Sequence, residues 1–86
     1  MYADKIEIGM LAKSKAGHDK GKAYVIYDAD EAYVYLVDGI NKTISNPKKK
    51  KRKHIQIILK KHDMSEIDDV GIKRILTLFD KETGRI

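Results

Sequence analysis

Cysteine and tryptophan are absent from this chain of 86 residues, and proline and phenylalanine occur once each. Without cysteine, disulfides and thiolate metal sites are excluded, and a reducing compartment fits. No apolar run approaches the roughly eighteen residues of a membrane span. Met1-Tyr2-Ala3-Asp4-Lys5 has no apolar signal-peptide region behind it. The expectation is a cytoplasmic protein with no membrane partner. His18, His54 and His62 are scattered, without the helical His-x-x-x-His spacing of a metal site. Asp28, Asp30 and Glu31 lack the glycine and the later bidentate Glu of a calcium loop, and a hairpin turn explains them better. Nothing around Ser14, Ser45 or Ser65 could activate a nucleophile, and Gly17 to Gly21 is followed by Lys22-Ala23 rather than by the Lys-Ser or Lys-Thr of a phosphate-binding loop. No enzyme activity and no cofactor are expected.

What the chain does have is charge in one place. Lys48-Lys49-Lys50-Lys51-Arg52-Lys53 is six consecutive cations between Pro47 and His54. Residues 1–47 carry six Lys against seven acids, residues 48–62 carry eight Lys or Arg and no acid, and residues 63–86 carry four bases against six acids. The net +5 is therefore a local device on a slightly acidic protein. Adjacent cations repel, so such a run is tolerated mainly where a polyanion neutralises it. Nucleic acid is the leading partner, because Lys and Arg displace its condensed counterions. The apolar stretch Ile55-Gln56-Ile57-Ile58-Leu59 follows at once and pins the run to an ordered element rather than a free tail. A localisation signal also takes this form, but a 9.8 kDa chain scarcely needs one.

The length allows one domain with a modest core. Alternating or β-rich stretches predict strands over 6–15, 23–27, 32–37, 42–45 and 54–59. In the third, Ala32, Val34 and Leu36 share one face and Tyr33, Tyr35 and Val37 the other. Gly17 and Gly21 bracket a tight loop. Asp38-Gly39 reads as a hairpin turn, and Pro47 stops the fourth strand by withholding a backbone donor. Ile72, Ile75, Leu76 and Phe79 then fall on one stripe at helical spacing. Ser65 or Asp68 can cap that helix, Asp69 suits its positive end, and Gly84 can stop it. Five short strands joined by turns predict a small, mainly β barrel over 1–62, and the helical extension, 63–86, is expected to pack on or beside it.

The glycine loop and the tyrosines have functional readings of their own. Gly17 and Gly21 would let backbone amides approach an anion, with Lys15, Lys20 and Lys22 around them. Tyr24, Tyr27, Tyr33 and Tyr35 lie on neighbouring strands, where the common role is cross-strand packing. If any stack unpaired bases, Tyr33 and Tyr35 do, opposite the more aliphatic face. His54, once protonated, can contact phosphate.

Gly9 to Lys22, with the later Val37-Asp38-Gly39 and the Pro47 to His54 run, resembles a KOW motif: an alternating strand, a glycine-bounded basic loop and a returning hydrophobic strand. The resemblance covers about residues 6–58 and extends to small KOW-domain RNA-binding proteins, similar to a KOW-containing family of large-subunit ribosomal proteins. It implies a five-stranded Src-homology-like barrel that binds structured RNA, ribosomal RNA foremost, without catalysis. The RNA-facing positions it implies are Lys13, Lys15, Gly17, Asp19, Lys20, Gly21 and Lys22, with Lys48, Lys49, Lys50, Lys51, Arg52 and Lys53. His18 belongs to the same loop and stands where the family has Arg or Lys. With Arg52 as the one Arg of the run, shape recognition is expected rather than base reading. The rival class is a protein-interaction module of the transcription or translation machinery, using the barrel and the amphipathic C-terminal segment for a protein partner.

Overall fold

The computed structural model describes residues 6–82. Five strands, β1 (Met10–Ser14), β2 (Ala23–Ala29), β3 (Tyr33–Val37), β4 (Lys48–Lys51) and β5 (Ile55–Lys61), are followed by helix α1 (Asp69–Glu82). The strands pair antiparallel in the order β4-β3-β2-β1-β5. Register shifts at Met10/Leu11 and between Ile26 and Asp28 mark the bulges that let the sheet curl into a half-barrel. The architecture is thus the expected one, mainly β with five strands and a C-terminal helix.

Strand alternation sends side chains to two separately buried faces. Met10, Ala12, Tyr24, Ile26, Val34, Leu36 and Ile55 fill the concave side. Leu11, Val25 and Val37 point outward and meet Ile72 and Phe79 of α1, with Ile75 and Leu76 packed beside them. The helical stripe therefore belongs to the core. Burying a side chain such as Ile72, which has no exposed surface, contributes about 2 kcal/mol. Asp68 caps the helix: its Oδ1 accepts from the Gly71 amide at 2.9 Å. Asp69 Oδ1 instead accepts from the Ile44 amide at 2.9 Å and ties the helix to the β3–β4 connection. The predicted stop at Gly84 lies outside the described residues.

Five local expectations are corrected. Residues 42–45 form no strand; the β3–β4 connection holds only an isolated Thr43–Asn46 bridge, and the fourth strand is the lysine run itself. Pro47 sits just before that strand, where no donor is needed. Asp38-Gly39 is not a two-residue hairpin. Asp38, almost wholly buried, accepts through Oδ1 from the amides of Ile40, Asn41 and Lys42 and so caps a longer loop. Gly39 has φ 81°, and a Cβ there would collide with the Asp69 carbonyl oxygen, so glycine is required where the helix seats. β1 begins only at Met10, after a turn, and His54 closes a 3-10 turn (Arg52–His54) rather than opening β5.

Candidate nucleic-acid interface

Four consecutive lysines form β4, and the strand period divides them. Val34 pairs with Lys50 and Leu36 with Lys48, so these two lie on the concave side. Tyr33 pairs with Lys51 and Tyr35 with Lys49, which places those lysines on the outer side. Burial follows: Lys48 and Lys50 are half-buried, and Lys49 and Lys51 are exposed.

The inward pair converges on Asp19 of the β1–β2 loop. Lys50 Nζ donates to Asp19 Oδ1 at 3.0 Å and to the Ala16 carbonyl at 3.0 Å. Lys48 Nζ lies 3.3 Å from Asp19 Oδ2. Ser14 Oγ donates to Oδ1 and the Tyr24 hydroxyl to Oδ2, each at 2.8 Å. Burial opposes the charge on Asp19, but hydrogen bonds from Lys50, Ser14, Tyr24 and Lys48 outweigh it and hold the carboxyl well below the usual range. Burial, followed by the bond to Asp19, pushes the Tyr24 phenol well above its ordinary value. Only 11% of the Lys50 and 12% of the Asp19 side chain is exposed, so this pair is shielded from salt screening.

The glycine loop serves the same clasp. Gly17 and Gly21 hold φ of 87° and 88°. The Lys20, Gly21 and Lys22 amides donate to the carbonyls of Gly17, Ser14 and Asp19. Those three amides are spent inside the turn and hold its shape. The Lys15 amide donates to the His54 carbonyl at 2.8 Å and fastens the loop to the 3-10 turn. Arg52 is fastened too: its Nε donates to the Asp30 carbonyl at 2.7 Å and its amide to Ala32. Lys22 Nζ pairs with Asp38 Oδ2 at 2.7 Å.

The sequence-predicted residues therefore separate into two groups. Asp19, Lys48, Lys50, Lys22 and Arg52 hold the loop and the strand in place. Lys15, His18, Lys20, Lys49, Lys51 and Lys53 are exposed, and among the described residues none of the five lysines is in an ion pair, although Lys49 lies near enough to Asp30 to help hold its carboxyl low. Gly17 and Gly21 shape the turn between them. Lys13 lies on the outer face with Leu11 and His54 is half-buried in the 3-10 turn. Ser14 and Tyr24 are the positioning residues that sequence reasoning missed. The inward alternation Met10, Ala12, Ser14 was the signal that could have found the first. Lysines on an edge strand also deter another chain from pairing with it, but that does not account for the cations continuing through Lys53. Among the described residues, no group of three or more His, Cys, Asp or Glu is placed to hold a metal ion. No family model matches the chain, and no curated protein matches it significantly.

Proposed function

We propose that this protein binds structured RNA, ribosomal RNA foremost, through phosphate contacts, as a KOW-type Src-homology-like barrel would. The observation that supports this most is the split of β4. Half of its lysines are ion-paired within the fold, and the other half face solvent without an ion pair, Lys49 having only the longer-range attraction of Asp30, next to the exposed cations of the β1–β2 loop and the 3-10 turn. Lysines two apart on one strand face stand about 7 Å apart, within a Debye length of about 8 Å at physiological salt. They repel one another until a polyanion neutralises them. In the apolar stripe that motivated a protein-interaction module, Ile72 and Phe79 are buried against the sheet and Ile75 and Leu76 are partly covered, so the stripe is accounted for by packing and the exposed cations are not.

RNA crosslinked to the protein in its native cells and sequenced tests this, alongside a Lys49→Gln, Lys51→Gln, Lys53→Gln variant. Reads concentrated on one region of ribosomal RNA and lost in the variant are expected. Reads spread over all transcripts would make it a general RNA binder, and no enrichment over background would contradict RNA binding.

A further inference from the structure

The outer face of β3 and β4 carries a second feature beside the lysines. Val34 and Leu36 have no exposed surface on the concave side, so Tyr33 and Tyr35 stand on the outer side, paired across the strands with Lys51 and Lys49. Helix α1 covers Leu11, Val25 and Val37 of that face, and both tyrosines remain half-exposed. Lys49 Nζ sits over the Tyr33 ring, 4.3 Å from its centroid. The Tyr35 hydroxyl donates to Asp30 Oδ2 at 2.9 Å, which fixes that ring in place.

Resting on the RNA reading above, we propose that Tyr33 is a stacking platform for an unpaired nucleobase, with Lys49 and Lys51 on the flanking phosphates and Tyr35 as the neighbouring position. Lys49 is an exposed, flexible lid on the ring. An exposed cation–π contact is weaker than base–aromatic stacking, so exchanging one for the other is favourable. The displaced ammonium is then released beside the phosphate that arrives with the base. Asp30, bonded to Tyr35, repels phosphate at that end and directs the strand toward Lys49, Lys51 and Lys53. Residues two apart on a strand lie about 7 Å apart, roughly twice the 3.4 Å rise of stacked nucleotides. Two such rings suit a splayed, single-stranded or bulged segment and have no open base face to meet in a duplex.

Binding of an unstructured dodecamer RNA and of a blunt duplex of equal length, with wild-type protein and the Tyr33→Leu and Tyr33→Phe variants, tests this. Tyr33→Leu is expected to weaken the single strand about tenfold, with duplex affinity and salt dependence unchanged. Tyr33→Phe should bind both as wild type does. Equal single-strand affinity of Tyr33→Leu and wild type would overturn the stacking site. Should Tyr33→Leu unfold, photocrosslinking of a 4-thiouridine-substituted dodecamer to wild-type protein decides. Crosslinks at Tyr33 or Lys49 support the site, and crosslinks confined to residues 15–22 overturn it. Wild-type protein that binds the duplex but crosslinks at neither Tyr33 nor Lys49 loses only the stacking platform; wild-type protein that binds neither RNA loses RNA binding itself.

Discussion

Lys49 and Lys50 are adjacent and chemically identical, yet they do opposite work. Lys50 is drawn under the β1–β2 loop, with 11% of its side chain exposed, and holds Asp19 and the Ala16 carbonyl. Lys49 lies in the open over Tyr33. A strand turns each successive side chain to the other face, so a uniform lysine run becomes one row of structural cations and one row available to a ligand. The inward row is shielded and its bonds are geometrically fixed. The outward row is screened by salt and free to exchange its contacts. The rigid row also holds the loop that carries Lys15 and Lys20, so the two rows are coupled through Asp19.

The sharpest way to break the comparison is at Asp19. Asp19→Ala removes the carboxylate shared by two ammonium groups and two hydroxyls, leaving Lys50 and Ser14 only the Ala16 carbonyl, and a loss of about 3–5 kcal/mol is expected, read from urea unfolding. A midpoint like wild type would show that the inward row is not structural. Lys50→Gln removes one charged donor while Lys48 remains, and should cost about 1.5–3 kcal/mol. Tyr24→Phe removes a neutral donor to the same carboxylate, and about 1.5 kcal/mol is expected in the same experiment. The outward changes should be the smallest of all for stability. Lys49→Gln with Lys51→Gln should move the unfolding free energy by no more than about 0.5 kcal/mol while weakening RNA binding, the reverse of Lys50→Gln.

The pH dependence of stability sharpens the same contrast. The folded Asp19 carboxyl lies below its unfolded value, so its contribution is complete above the ordinary carboxylate pKa of about 4 and is lost as pH falls below it. Asp38 is also held low, burial opposing but the Lys22 ammonium and the Lys42 and Ile40 amides prevailing, and it adds to the same acid loss. The raised Tyr24 phenol acts at the other end: its contribution is present below about pH 10 and is lost as pH rises beyond. Urea midpoints against pH should therefore fall on both sides for wild type, with a flatter acid limb for Asp19→Asn and a flatter alkaline limb for Tyr24→Phe. Lys49→Gln should leave the Asp19 and Tyr24 contributions to both limbs as they are.

Much of this molecule is legible in its sequence where residue type and environment agree. Ala23 to Tyr27 and Tyr33 to Val37 read as strands because β-branched and aromatic residues sit on a half-buried sheet. The Ile72, Ile75, Leu76, Phe79 stripe read as a helix seated on the barrel, and it is. The fourth strand was illegible for the opposite reason. Lysine has little β propensity, and Lys48 to Lys51 shows no alternation of residue type, although it alternates fully in environment. Lys42 to Ser45 looked more like a strand, but Asp38 gathers three amides there into a loop. The same gap hid the site's organisation. Composition shows a basic run, but only the register against Val34 and Leu36 shows which lysines Asp19 has already taken.

The most direct measurement is the salt dependence of RNA affinity for wild-type protein and for the Lys49→Gln, Lys51→Gln, Lys53→Gln variant. With five or six phosphates neutralised, log affinity against log salt should fall with a slope of about −4 to −5 in wild type. The variant, lacking three of the contacts, should show a slope shallower by about 2 to 3 with its urea midpoint preserved. A flat wild-type response, or a variant slope identical to wild type, would contradict phosphate binding by the outward row.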